Sequence, residues 1–319
     1  MALTTRRRAL TTLGAALVGA VALPATGASA TTGHGASAAT GPDTSATTGP
    51  DASATTGHDA SAATGHRGPR PLWRAHAHND YEHPHPLYDT LGHRFGSVEA
   101  DIYLVGDQLL VAHEPAELDP ARTLESLYLD PLAALVRANH GQVYRGWRRP
   151  LHLLIDIKTE GSSTYLELDR HLRRYRHLFT TFAHGRIHPG SVTAVVSGDR
   201  AARAPMEAQA VRRAFYDGRL TDLGTSAPAS FIPLISDNWT QNFTWPGAGA
   251  FPGAERQKLR GIVAQAHARG QKVRFWATPD TPGPARDALW AELLAAGVDC
   301  LNTDDLAGLA AFLGAHERP

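Results

Sequence analysis

A single cysteine, Cys300, excludes any intrachain disulfide. Charge of either sign is not in excess, since 31 Lys and Arg balance 31 Asp and Glu. No global field would then gather nucleic acid or an anionic membrane, and phosphate recognition has to be local. Long apolar runs are missing too. The longest near the amino terminus, Leu13 to Leu23, falls well short of the roughly 20 residues that span a bilayer. Glycine-rich phosphate loops of the nucleotide-binding type are absent, which removes ATP and dinucleotides as candidates. The first 70 residues contain almost no aromatic or large aliphatic side chains outside that run, so they cannot bury enough surface to offset the entropy of ordering.

What those residues do contain is addressing information. Thr5, Arg6, Arg7 and Arg8 precede the apolar run, and Ala28-Ser29-Ala30 follows it, the pattern of a twin-arginine signal peptide over residues 1–30. Secretion or an envelope location is therefore expected. An octad repeat comes next, Thr47 to Ala54 and then Thr55 to Ala62, with looser copies before it. Units this poor in apolar groups build no core, so residues 31–70 read as a disordered linker. His34, His58 and His66 lie there and carry no chemistry.

From Leu72 the text changes to short apolar strands alternating with helical stretches, the sign of an α/β fold with a parallel sheet. Eight strands are predicted: Leu72 to His76, Ser97 to Tyr103, Leu151 to Ile157, Val192 to Ser197, Ala214 to Asp217, Phe231 to Ser236, Lys272 to Ala277 and Cys300 to Thr303. Helices are expected over Pro86 to Arg94, Thr123 to Asn139, Thr164 to Phe182, Ala201 to Val211, Ala254 to Arg269, Pro284 to Ala296 and Asp305 to Leu313. Gly218 to Ser230 is too broken for one. The count gives a (β/α)₈ TIM barrel over residues 71–319, a common size for that fold. Gly106-Asp107 signals a β-hairpin inserted after strand 2, which would return His113 to the mouth.

Active sites of such barrels lie at the carboxyl ends of the strands. There the sequence places His76, His78 and Asn79 after the first strand, Glu99 and Asp101 on the second, His113 on the hairpin, and Asp156 with Lys158 on the third. Glu99 and Asp101 are two apart, so they share one face at roughly 7 Å. Three carboxylates this close repel unless a cation lies between them, and hard oxygen donors suit Mg²⁺ or Ca²⁺. His113 and one of His76 or His78 fit the roles of base and acid, with Lys158 a second positive contact to phosphoryl oxygens. Asn238, Trp239 and Trp276, ending the sixth and seventh strands, are candidate substrate contacts. Asp304 is expected to cap the last helix. The basic run Tyr144-Arg-Gly-Trp-Arg-Arg149 reads as a solvated loop, with anion or membrane contact as its alternative.

The segments Ala75-His-Ala-His-Asn-Asp-Tyr-Glu, Ser97-Val-Glu-Ala-Asp-Ile-Tyr-Leu, Leu110-Val-Ala-His-Glu, Leu153-Leu-Ile-Asp-Ile-Lys and Gly297-Val-Asp-Cys-Leu-Asn-Thr-Asp resemble the phospholipase-C-like phosphodiesterase superfamily. The resemblance is to the branch named after altered-inheritance-of-mitochondria proteins, related to glycerophosphodiester phosphodiesterases and the phospholipase D toxins of spiders. It implies metal ligands at Glu99, Asp101 and Asp156 and a catalytic pair of His113 with a first-strand histidine. The spacing of His76 to Asn79, similar to the toxin branch, favours His76 over His78. Neither histidine is followed by the Arg-Gly of the glycerophosphodiesterase branch, which leaves the alcohol open. The expected substrate is a small-molecule or lipid phosphodiester, with no nucleic acid partner, no stable membrane span and a monomeric chain. Two other classes compete. An amidohydrolase-type zinc hydrolase would use His76 and His78 as ligands, but it also wants imidazoles where Ser197, Asp217 and Asp237 stand. A catalytically inactive envelope binding module would have no need to keep every acid, base and ligand.

Overall fold

The computed structural model describes residues 68–317, so the signal-peptide reading and all but residues 68–70 of the linker reading lie outside the described residues. Twelve strands follow in order among them: β1 (Leu72–Ala77), β2 (Phe95–Val105), β3 (Gln108–Val111), β4 (Leu151–Ile157), β5 (Thr181–Ala183), β6 (Arg186–His188), β7 (Val192–Gly198), β8 (Val211–Arg212), β9 (Ala214–Gly218), β10 (Leu234–Asn238), β11 (Lys272–Trp276) and β12 (Cys300–Thr303). Eight of them, β1, β2, β4, β7, β9, β10, β11 and β12, pair side by side in parallel, and the β1–β2 pairing closes the ring. The predicted (β/α)₈ barrel is what the chain forms. Each of its strands falls on a predicted one, though Phe231 to Pro233 precede β10, because Pro233 has no amide to give to the ladder.

Helices wrap the ring: α1 (Tyr88–Gly92), α2 (Asp130–Ala138), α3 (Gly161–Arg174), α4 (Arg203–Glu207), α5 (Trp239–Asn242), α6 (Gly253–His267), α7 (Pro284–Ala296) and α8 (Leu306–His316). Three expectations need correcting. The helix read over Thr123 to Asn139 is a π-turn, Glu125–Leu129, leading into α2. The one read over Thr164 to Phe182 starts earlier, where the Glu160 carboxylate accepts from the Ser162 and Ser163 amides at 2.8 Å. It ends at Arg174, because Phe182 belongs to β5 of a small antiparallel sheet, β6–β5–β8, that also claims Val211 and shortens α4. Gly218 to Ser230 holds only a 3₁₀ turn, as expected.

The period of two sorts the side chains. On β4, Leu153, Ile155 and Ile157 join the large apolar cluster under the helices, while Leu154 and Asp156 face the other way. Leu154 meets Val195, Leu234 and Cys300 in a small separate cluster that plugs the barrel axis. Above that plug the interior turns polar: His76, Ser97, Glu99, Asp101, Ser236, Arg274 and Asn302 are all buried. The hairpin forms as read, β2 and β3 joining through Gly106-Asp107 with Val105 opposite Gln108. No helix among the described residues is long and apolar enough to cross a membrane.

Gly198, which ends β7, has φ +80°, and a Cβ there would lie 2.2 Å from the Ile157 carbonyl oxygen and 2.5 Å from its nitrogen. Gly198→Ala is expected to lower unfolding free energy in urea by about 2 kcal/mol or more, since both backbone strain and a main-chain clash oppose it. A neutral result would mean that this part of the barrel yields.

Candidate active site

Glu99 and Asp101 on β2 and Asp156 on β4 bring ligand oxygens within 4.8 Å of one another. The parallel ladder does this directly, because Asp101 and Asp156 are register partners. Lys158 Nζ stands 3.0 Å from Asp101 Oδ2 and 3.2 Å from Asp156 Oδ1. Asp101 Oδ1 is buried and has no hydrogen-bond partner among the described residues. A buried carboxylate oxygen left unpaired is costly, and an ion would satisfy it. Burial, and after it the neighbouring Glu99 charge, push the Asp101 carboxyl up to about 6, and burial raises Asp156 as well. The trio thus resists full ionisation unless a cation joins it. Its donors are oxygens alone, which fits a hard divalent ion and not the imidazole-bearing set of a zinc hydrolase.

Glu99 is held from below. Arg274 Nη2 on β11 donates to Glu99 Oε2 at 2.6 Å, and its Nε and Nη2 reach Asn302 Oδ1 at 2.9 and 2.7 Å. Burial alone would raise the Glu99 carboxyl, but the Arg274 charge, the His76 hydrogen bond and the two histidines' charges together outweigh it and keep Glu99 ionised well below the usual range. His76 shares the same oxygen. Its Nε2 lies 2.9 Å from Glu99 Oε2 and its Nδ1 2.7 Å from Ser97 Oγ, with the ring 1% exposed. Burial first, and then Arg274, lower its pKa to about 4, so it is neutral. Both nitrogens of His76 are engaged inside the barrel, which reverses the preference for it over His78 as the imidazole that meets substrate.

His78 is the open one. Its Nδ1 lies 2.7 Å from Asp304 Oδ1, and its Nε2 has no partner among the described residues. Burial would lower the His78 pKa, but Asp304 and then Glu99 bring the balance out upward. Asp304 is therefore a histidine partner, and the helix cap expected of it is made by Asp305, which accepts from the Gly308 amide at 2.9 Å. Across the mouth, Tyr81 connects three site residues. Its hydroxyl is 2.6 Å from Asp101 Oδ2, 2.9 Å from Asn79 Oδ1 and 3.0 Å from His113 Nδ1. Burial and the Asp101 charge push the phenol far up, so it stays protonated and donates to Asp101. Its oxygen then accepts from His113 Nδ1–H, which leaves Nε2 as the basic nitrogen. Glu114 Oε1, at 4.0 Å from that nitrogen, is beyond hydrogen-bond reach. His113 and Tyr81 also line a cleft of about 620 Å³ with His83, Glu117 and Arg122.

The other candidates divide. Asn79 takes the left-handed conformation, φ 48°, that brings its amide to Tyr81. Trp276 is half-buried at the end of β11, in register with Asn238. Asn238 Oδ1 is spent capping α5, accepting from the Gln241 amide at 3.1 Å and the Thr240 hydroxyl at 2.8 Å. Trp239 is core, not a substrate contact: it is 1% exposed, packs on Phe243 and Phe275, and gives its Nε1–H to the Trp245 carbonyl at 2.9 Å. Tyr81, Arg274 and Arg219 were not read from the sequence. Arg274 could have been, as a charge flanked by Val273 and Phe275 on a strand. Arg219 follows β9 and binds Asp217 Oδ2 at 2.6 Å, beside Ser197.

Residues 70–217 match the AIM6-like phosphodiesterase domain, and residues 272–307 match the glycerophosphoryl diester phosphodiesterase family. The altered inheritance of mitochondria protein 6 of Eremothecium gossypii is 30% identical over 76% of this chain and 69% of its own length. Its homolog in Arthroderma benhamiae is 29% identical over 73% of this chain and 81% of its own. Among solved structures, a glycerophosphoryl diester phosphodiesterase from Parabacteroides distasonis aligns with 78% of this chain and 88% of its own at 12% identity, TM-score 0.46.

Because the folded His76 pKa of about 4 lies below the ordinary 6.5, the unfolded chain takes up its proton first as pH falls. His76 therefore withdraws stability progressively between pH 6.5 and 4. The loss is on the order of 3 kcal/mol, at about 1.4 kcal/mol per tenfold change in proton affinity. The raised Asp101 carboxyl gains stability over the same range, so the readout is the change that His76→Gln makes in urea unfolding in EDTA between pH 7 and 4.5: the variant should lose less stability, or gain more, than the wild type, and an unchanged difference would refute the assignment.

Proposed function

Since the chain belongs to the altered-inheritance-of-mitochondria branch of the glycerophosphodiester phosphodiesterase-like superfamily, we propose that it is a secreted, metal-dependent phosphodiesterase acting on glycerophosphodiester- or phospholipid-type diesters. The observation that carries this reading is the carboxylate trio, with its unpaired Asp101 oxygen, set between two imidazoles whose Nδ1 atoms are already committed. Glu99, Asp101 and Asp156 would hold Mg²⁺ or Ca²⁺. Such an ion supplies a contact to a non-bridging phosphate oxygen and spreads the charge that builds there.

The chain's own residues account for the protons. His113 Nε2 removes the proton of the attacking hydroxyl, and the resulting imidazolium is stabilised through Tyr81 and Asp101. His78, held by Asp304, delivers its Nε2 proton to the departing alkoxide oxygen. Lys158 offers its ammonium to the phosphoryl oxygens from beside Asp101 and Asp156. The cleft of about 620 Å³ along Tyr81 and His113 is the natural place for one alcohol group. The attacking hydroxyl is water in a hydrolase, or a hydroxyl of the substrate's own alcohol in a lyase that releases a cyclic phosphate. The twin-arginine pattern at the amino terminus is the support for export.

The test uses the full chain with bis(p-nitrophenyl) phosphate, glycerophosphodiesters and lysophospholipids. EDTA should abolish cleavage, and Mg²⁺ or Ca²⁺ should restore it. Asp101→Asn, His113→Ala and His78→Ala are each expected to lower kcat by about 100-fold or more. Tyr81→Phe should lower kcat by about tenfold, because it misorients His113. Full activity in Asp101→Asn and His113→Ala would sink the mechanism, and no cleavage by the wild type with any metal would move the assignment to a binding module.

A further inference from the structure

At the opposite end of the barrel lies a cavity of about 700 Å³. Its walls are the last turn of α2 with the loop after it, the segment leading into β4, and the segment leading into β7. The Ser191 hydroxyl ties two of those walls by donating to the Gly141 carbonyl at 2.7 Å. Arg137, Arg148, His140 and His177 line it, and no Asp or Glu does. None of the four cationic or titratable side chains has a hydrogen bond, ion pair or ring contact among the described residues, although most other arginines here are paired. Gln142, also in the lining, has its Oε1 buried without a partner.

Two guanidinium groups facing one cavity, with no carboxylate to neutralise them, are complementary to a phosphate dianion, which arginine binds through paired N–H donors. The unsatisfied Gln142 amide asks for a group that can both donate and accept, so either orientation of the amide is served by an alcohol hydroxyl. The geometry points to a second ligand site at the amino-terminal end of the barrel, taking the phosphate monoester of a polyol. Arg137 and Arg148 bind the phosphate, the ring N–H groups of His140 and His177 add donors, and Gln142 reads a hydroxyl. The basic run Tyr144 to Arg149 thus contributes through Arg148. This assignment is independent of the chemistry at the carboxyl ends of the strands.

The probes are sn-glycerol 3-phosphate and inorganic phosphate, titrated calorimetrically into the full chain in EDTA. The wild type should bind glycerol 3-phosphate more tightly than phosphate. Arg137→Gln with Arg148→Gln should weaken both by about tenfold or more while keeping the wild-type thermal melt. Gln142→Leu should weaken only the glycerol ester, and Asp101→Asn should change neither. The same ester on a lipid is tested by co-sedimentation with phosphatidylcholine vesicles containing lysophosphatidic acid, which keeps one free glycerol hydroxyl. Sedimentation that the double variant loses identifies a headgroup as the source, and calorimetric binding without sedimentation identifies a free ester. No binding by the wild type to either form, or undiminished binding by the double variant, overturns the site. Equal affinity for the two free anions overturns the role of Gln142.

Discussion

Everything at the carboxyl ends of the strands depends on a carboxylate buried inside a barrel. Glu99 is 5% exposed, and an ionised group so placed would lose several kcal/mol of hydration without compensation. Arg274 provides that compensation from the facing side of the ring, and Asn302 fixes the guanidinium with two further acceptor contacts. His76 completes the arrangement as a neutral imidazole, because its burial and then the Arg274 charge disfavour a second positive group. The pair makes Glu99 a carboxylate of fixed charge and fixed rotamer, and so a reference point for the rest of the site.

The charge balance above that pair follows. Glu99 and Arg274 cancel, and Lys158 cancels one of Asp101 and Asp156, so the rim keeps one formal negative charge. The raised Asp101 carboxyl expresses the cost of keeping it. The proposed divalent cation would turn that excess into a single positive charge, and a phosphodiester monoanion would bring the whole to neutrality. Fewer carboxylates would leave substrate and ion over-charged, and more would repel the substrate. The same economy extends to Tyr81, which donates a hydrogen bond to Asp101 and accepts one from His113, linking the carboxylate trio to that imidazole.

The ring itself was legible in the sequence because alternating apolar strands and helices leave few topologies, and each barrel strand falls where its apolar run does. The trio was legible for a related reason: a strand's period of two puts Glu99 and Asp101 on one face, and the ladder brings Asp156 level with Asp101. What escaped depends on partners distant in sequence. Whether His76 or His78 is open is decided by Ser97 and Asp304, and no local spacing encodes the 226-residue separation between His78 and Asp304. Trp239 looked like a substrate contact because it ends a strand. The loop beyond it, with Phe243, Trp245 and Phe251, folds back and covers the ring. Helix ends were misjudged where Phe182 and Val211 were claimed by a three-stranded sheet that neither segment announces alone.

A balanced net charge also hides how the charges are arranged. Zero overall excludes a global field, yet it places no limit on local ones. The strands of a parallel barrel all point the same way, so residues just before them gather at one end and residues just after them at the other. Here β2 and β4 carry the acidic trio and the segment after β1 carries His78, while the end of α2, the segment before β4 and the one after α3 supply arginine and histidine to a cavity with no acidic lining residue. Between the two ends lies the apolar plug of Leu154, Val195, Leu234 and Cys300. Dry, packed side chains admit neither ions nor substrate, so each end can evolve its own ligand chemistry while sharing one rigid wall.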